Sequence, residues 1–357
     1  MADAAVAELA SRIREAAAAE HPLRIRGGGT KDFYGRPVGG EVLDTRAVTG
    51  IVDYEPTELV VTARAGTPLD VLEDTLHAAG QILAFEPPRF APGATIGGAV
   101  AAGLSGPRRP YAGAVRDFVL GTRILDGTGE HLAFGGRVMK NVAGFDVSRL
   151  LAGSLGTLGV ITEVSLKCLP RPAVELTLLR ECAADEAIRL VNEWGGRPVP
   201  LTATCFVGGR LWVRLSGAEA ALAAAREAVG GEPVAGDQVP WLGLRDHTHP
   251  FFADVAAVRG ALWRLSVRST TPHADLGGEQ LVEWGGALRW LVTAPDADGE
   301  RVRAWARASG GHATCFRGGN GPTFQPLSPP LLALHQRLKH TFDPHGILNR
   351  GRLYPEL

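Results

Sequence analysis

"APGATIGGAVAAGLSGPRRPYAGAVRDFVLG", from Ala91 to Gly121, sets Gly93, Gly97 and Gly98 around Thr95 and then runs into a small-residue helix, Ala99 to Gly103. A helix start preceded by bare glycines offers backbone N–H groups to an anion, and the missing side chains let a phosphate come close. The spacing is not G-x-x-x-x-G-K-[ST], and no G-x-G-x-x-G follows a strand, so neither a P-loop nor a Rossmann site is indicated. One such loop by itself reads as a tight turn. Two more change the balance. Upstream, "PLRIRGGGTKDFYG" (Pro22 to Gly35) places Gly27, Gly28 and Gly29 after a short strand and before Thr30 and Lys31. Downstream, "LAGSLGTLGVITEVSLK" (Leu151 to Lys167) is a third glycine-rich turn leading into a strand. Three anion cradles in one region suit a long ligand that carries a pyrophosphate.

The chain around these loops is an ordinary globular one. It has 357 residues, 45% hydrophobic and 21% charged, enough for two cores. A net charge of −1 argues against a nucleic-acid partner, which would need a basic stripe. The four cysteines, Cys168, Cys182, Cys205 and Cys315, form no C-x-x-C pair, so a locally built zinc or iron–sulfur site is not expected. Reduced thiols and a cytoplasmic setting are the expectation. The N-terminal stretch carries Asp3, Glu8, Arg12, Arg14 and Glu15 among its alanines, so it reads as neither a signal peptide nor a membrane span. Val6, Leu9 and Ile13 instead mark a surface amphipathic helix.

Outward from the loops, strands, glycine turns and a few helices alternate up to "PRP", Pro170 to Pro172, which reads as a boundary. The text then changes. A hairpin turns on Gly208-Gly209 and is followed by an alanine-rich helix; a second turns on Gly285-Gly286 and is also followed by a helix. Helix 185–194 before the first and the strand "HATCF" after the second extend the pattern to two strand–helix–strand–strand–helix–strand units in an antiparallel sheet. Residues 1–172, 173–325 and 326–357 are thus expected to form a first domain, a second domain and a C-terminal segment returning to the first. The fold class is α+β.

The combination "RGGGTK", "PGATIGGAVAAGLSG", "VRDFVLG", "GSLGTLGVITEVSLK" and "FDPHGILNRGRLYP" resembles the vanillyl-alcohol-oxidase, or PCMH-type, flavoproteins. Within that family the motif order is most similar to the FAD-binding subunits of bacterial glycolate oxidase. The resemblance is strong over 24–169 and from Leu327 onward, and weak between. It implies a two-part FAD-binding domain and an antiparallel-sheet cap domain with ferredoxin-like repeats. It also implies an FAD-dependent oxidoreductase acting on CH–OH groups, with glycolate or a similar small 2-hydroxy acid as substrate. A catalytic FAD-linked subunit and an iron–sulfur subunit would be its partners, with any membrane association running through them.

By the same resemblance, Arg26, Gly27, Gly28, Gly29, Thr30 and Lys31 form the first pyrophosphate loop. Pro92, Gly93, Ala94, Thr95, Ile96, Gly97 and Gly98 form the second. Ser105 and Gly106 are expected near the flavin ring, Arg116 and Asp117 in the segment that follows. Gly153, Gly156, Thr157, Gly159, Val160 and Ile161 are expected along the ribityl chain and ring. Many relatives attach flavin through a histidine near the first loop; Thr30 stands here, so FAD is expected to be non-covalent. Where many carry Glu in "GSEGTLG", this chain has Leu155.

Candidates for chemistry are fewer. Catalytic relatives use a histidine-rich H-x-G-D-G-N-x-H stretch to hold a metal; the nearest text, "CFRGGNGPTF", has Asn320 but neither histidine, so no metal is expected. His247 and His249 read as an H-x-H pair on one strand face or as a solvated loop before Pro250. Arg264 and Arg268 read as one strand face, able to hold a carboxylate or simply facing water. Asn349, in the tail, is the polar residue expected nearest the ring, with a turn or packing role as the alternative. Two further readings stay open: a flavin-fold scaffold without its own catalysis, and a stand-alone FAD-dependent hydroxy-acid oxidoreductase.

Overall fold

The computed structural model describes residues 2–136, 146–257, 260–319 and 321–357. The chain forms two compact units. One takes residues 1–105, 113–171 and 326–357; the other takes 106–112 and 172–325. Among the described residues, no helix is long and apolar enough to cross a membrane.

The first unit begins with the helix Ala2–Ala19. Its spaced Val6, Leu9 and Ile13 are buried together with Leu23, Leu43, Val160 and Leu348. Strand β1 (Leu23–Arg26) pairs in parallel with β2 (Glu41–Asp44). On its other side Leu23 bridges Leu348 of the C-terminal tail, also in parallel. Strands β3 (Ile51–Glu55) and β4 (Val60–Arg64) then start a five-stranded sheet. The helix Leu69–Ala78 follows Pro68 and stops before Gly80, as those residues dictate. The short strand β5 (Gln81–Ile82) leads on to β6 (Val119–Leu125), β7 (His131–Gly135), β8 (Val160–Lys167) and β9 (Leu169–Pro170). The sheet order is β3-β4-β8-β6-β7, antiparallel throughout, and β5 pairs with β9. Central β8 buries both of its faces, with Val160, Ile161, Val164 and Leu166 in the core.

The second unit is one eight-stranded antiparallel sheet. Its first half contains β10 (Val174–Glu181), helix Ala184–Gly195, β11 (Leu201–Val207), β12 (Arg210–Gly217), helix Glu219–Val229 and β13 (Glu232–Val234). Its second half contains β14 (Ala261–Ser266), β15 (Gly278–Glu283), β16 (Leu288–Thr293), helix Gly299–Ala308 and β17 (His312–Arg317). The order β13-β10-β12-β11-β15-β16-β14-β17 is the ferredoxin-like order written twice, the second time reversed, joined where β11 meets β15. The second half departs from the expected repeat. Its first helix is replaced by residues 267–277, an irregular stretch holding Pro272, whose Val267 and Leu276 fill the space against Trp263 and Leu291.

Gly106–Ala112 departs from the expected boundaries too, since it packs with the second unit rather than the first. Its side chains find partners there. Arg108 bonds Glu175 at 2.7 Å, and the Arg109 guanidinium lies 4.4 Å from the Trp284 ring centroid. Tyr111 packs against the core of the first half-sheet, and the Trp284 indole donates to the Gly106 carbonyl at 3.1 Å.

Candidate functional site

Strand β1 ends at Arg26 and delivers residues 27–32 to the rim of a cavity of about 710 Å³, counting its open mouth. Among the described residues, the N–H groups of Gly27, Gly28, Gly29 and Thr30 reach no hydrogen-bond acceptor. Four consecutive uncommitted amides make a site for an anion. Positive charge gathers beside them. Arg24 and Arg26 share the Asp32 carboxylate, at 2.8 and 2.7 Å. Lys31 lies on the same rim, 5.5 Å from the Phe90 ring centroid. Arg352 reaches in from the tail and donates to the carbonyls of Lys31 and Tyr34, at 3.1 and 2.9 Å. Burial lowers the pKa of its guanidinium, a shift that Asp32 partly offsets. Arg26, Lys31 and Arg352 thus bring three basic side chains to the rim, with Arg24 behind them on Asp32.

The second loop commits only part of its backbone. The N–H groups of Ile96, Gly97 and Ala99 are committed to the carbonyls of Thr67, Ala65 and Thr95. The Gly98 amide turns to the Thr95 hydroxyl at 3.3 Å. Gly97 is glycine because a Cβ there would stand 2.6 Å from the Ala65 Cβ. The loop therefore supplies wall and donors together: Thr95, Gly97, Gly98, Ala101 and Ala102 line the cavity, and among the described residues the N–H groups of Gly93, Ala94 and Thr95 reach no hydrogen-bond acceptor. Pro92 and Gly93 are exposed, Ala94 and Ile96 are buried in the packing, and none of the four is on the wall. Gly28 also has a reason other than the expected one. A Cβ on it would fall 1.7 Å from the Gly93 carbonyl oxygen, so it is bare to let the two loops touch.

The third turn contributes Leu155, Gly156, Gly159 and Ile161. Thr157 and Val160 are buried behind it, and the Gly153 amide bonds the Val100 carbonyl. Asn349 lines the cavity from the tail, 3% exposed. Its amide oxygen accepts from the Ile25 N–H at 2.8 Å and its amide nitrogen donates to the Leu155 carbonyl at 2.6 Å. It ties β1 to the third turn.

The other candidates lie off this wall. Ser105 accepts from the Val115 amide, and Gly106 belongs to the second unit. Asp117 caps its own turn by accepting from the Ala114 N–H, with Arg116 beside it at 3.8 Å. His247 is not on a strand. It ends the short helix Trp241–Asp246, and Pro250 begins another. Its ring stacks on Phe252 at 3.9 Å and meets Trp290 edge-on, and burial holds its imidazole well below the usual 6.5. That is a histidine packed among aromatic rings at a helix end, not a solvent-facing base. Arg268 lies past the end of β14, exposed, and donates to the Ser309 carbonyl, while Arg264 stacks on Trp284. The two do not share a strand face. Asn320 lies outside the described residues. Sequence reasoning missed Ile25, Asp32, Thr45 and Ala65 on the wall. The R-x-R-…-D spacing of Arg24, Arg26 and Asp32 was the one local signal available.

The donors, the cationic rim and the small-residue wall fit a pyrophosphate joined to a flat ring. A family model described as an FAD binding domain matches residues 4–135. The fold and the cavity define an FAD-binding flavoprotein. Glycolate oxidase subunit GlcE of Escherichia coli (strain K12) is 52% identical over 349 residues, covering 98% of this chain and 97% of the relative. The chain belongs to the family of that glycolate oxidase subunit. Glycolate oxidase subunit GlcD of Bacillus subtilis (strain 168) is 33% identical over 162 residues, 44% of this chain and 34% of that protein. A solved alkyldihydroxyacetonephosphate synthase superposes with a TM-score of 0.64 at 16% identity, over 96% of this chain and 74% of that one. That likeness speaks to the fold, which is PCMH-type.

Proposed function

We propose that this chain is the FAD-holding subunit of a complex that oxidises glycolate, or a closely similar 2-hydroxy acid. The observation that carries the reading is the near-full-length identity with a glycolate oxidase subunit. The cavity supports the cofactor part of it. The amides of residues 27–30, with the Arg26 guanidinium, hold the pyrophosphate. Thr45, Ala65, Gly97, Ala101, Ala102, Gly156 and Gly159 leave room for the rest of the cofactor. Bound FAD would accept the two electrons that leave the CH–OH carbon. Thr30 gives no attachment point, so the cofactor is held without a covalent bond. A catalytic FAD-linked subunit and an iron–sulfur subunit complete the complex.

One observation favours leaving substrate turnover to a partner. The described wall has a single carboxylate, Asp32, engaged by two arginines, and no histidine. A hydroxyl proton needs a base with a free lone pair within hydrogen-bond reach. Arg24 and Arg26 keep Asp32 from that task. The chain then serves as a flavin-bearing scaffold within the complex.

The visible spectrum of the purified chain tests the first reading. A flavin spectrum is expected, with the colour released into the supernatant on acid precipitation. A colourless protein that takes up no FAD on titration would overturn it. Glycolate-dependent reduction of an artificial acceptor tests the second: the chain alone should be nearly inactive, and equal rates for chain and complex would sink it.

A further inference from the structure

The helix Pro329–Phe342 is largely exposed, and the side chain it buries is a lysine. Lys339 Nζ donates to the Thr157 carbonyl at 2.9 Å, the Leu348 carbonyl at 2.7 Å and Asp343 Oδ2 at 2.6 Å. All three ammonium hydrogens are used. Asp343 is buried as well and accepts from the amides of Ile347 and Leu348, at 3.1 and 2.8 Å. Neither side chain is on the cavity wall. Their backbone partners flank it. Thr157 lies between Gly156 and Gly159, and Leu348 precedes Asn349, all three of these neighbours being wall residues.

A buried ion pair is a poor means of stabilising a fold, since an apolar pair of the same volume does as well or better. An apolar pair has nothing to offer two carbonyl oxygens. A compact ammonium can hold both at fixed separation, and Asp343 keeps that ammonium in place while ordering the turn into the tail. We propose that Lys339 is a positioning residue of the cofactor cavity, with Asp343 setting the spacing between the Leu155–Gly159 turn and the Asn349–Arg352 segment. The proposal rests on the reading that this cavity holds FAD.

The test compares the parent chain, K339M and K339M/D343N after removal of flavin. FAD affinity is measured by titration with flavin fluorescence, the visible band shape is recorded on the loaded proteins, and melting is followed on the apoproteins. K339M is expected to melt lower, because it leaves a buried carboxylate without its cation. The double variant removes that charge and keeps an acceptor for the Leu348 amide, so it should regain most of the melting temperature. FAD affinity should remain about tenfold or more below the parent in both, the cost of a lost charge-assisted bond, with a changed band shape. If K339M does not fold, the double variant carries the comparison. Affinity that tracks melting temperature across the proteins, or that stays at the parent value, overturns the proposal. A parent that takes up no FAD overturns the cofactor reading itself and this proposal with it, whereas FAD-binding parent and variants of equal affinity overturn the positioning role alone.

Discussion

Gly28 and Gly93 touch, yet replacing them should have unequal consequences. A Cβ on Gly28 would sit 1.7 Å from the Gly93 carbonyl oxygen and 2.7 Å from its carbon, both backbone atoms that cannot turn aside. Gly28→Ala must therefore push the two loops apart, and forced overpacking of this kind costs ~1–3 kcal/mol. In a unit of this size each kcal/mol is worth roughly 2–4 °C of melting temperature, so the apoprotein should melt about 2–12 °C lower. The four free amides move with the loop, and FAD affinity should fall about tenfold, ~1.4 kcal/mol. Gly93→Ala meets nothing within 4 Å, although its φ of +82° is a left-handed one. Its cost should be the conformational ~1 kcal/mol alone, with FAD affinity little changed. Apoprotein melting and flavin titration on the two variants check both. If Gly28→Ala melted with the parent, or Gly93→Ala lost FAD as badly as Gly28→Ala, the reading of this loop contact would be wrong.

Asn349→Ala strands the Ile25 N–H and the Leu155 carbonyl and puts alanine at a φ of +41°, so about 2–5 kcal/mol of stability should be lost in denaturant titration. Asn349→Asp keeps only the bond from Ile25 and should not restore the parent value. His247 resists protonation in the fold, so below the usual 6.5 the unfolded chain binds a proton that the folded one refuses, and stability falls as pH drops from there. His247→Phe should make the slope of stability against pH shallower by up to about 1.4 kcal/mol per unit below that point, and unchanged slopes between pH 7.5 and 5.5 would refute the assignment. Trp284→Leu removes the indole bond to Gly106 and the ring under Arg109. Trypsin should then cut the Arg108–Arg109 bond about fivefold faster or more as that segment opens, which mass spectrometry of timed digests would show.

Elements whose pattern is local could be read from the text. Val6, Leu9 and Ile13 announced their helix, Pro68 and Gly80 bounded theirs, and the hairpins at Gly208-Gly209 and Gly285-Gly286 stand where they were expected. The glycine loops were legible as loops, but not as to what occupies the space beside them. Gly28 yields to a carbonyl and Gly97 to the Ala65 methyl, and which amides stay uncommitted shows only in the folded chain. His247 failed because Pro250 was taken as an end, when it opens a helix. Arg352 was legible only as part of a tail returning to the first domain; its partners, Lys31 and Tyr34, stand more than 300 positions away in the chain and could not be read. The missing helix of the second half-sheet did leave a trace, in the Pro272 and Gly277 of its connecting stretch.

The first unit is interrupted by nearly all of the second, from Pro172 to Gln325, before Lys339, Asn349 and Arg352 arrive to complete it. Synthesis runs from the N-terminus, and domains fold as units while it proceeds. The first 171 residues therefore wait, with β1 lacking a neighbour on one side, until an entire second sheet has been made. A ribosome that stops anywhere within that sheet releases a chain whose glycine loop exists but whose clamp does not. Such a product would lack Asn349 and Arg352, two residues of the cavity wall, so a cavity complete on every side exists only in a chain translated past the insertion.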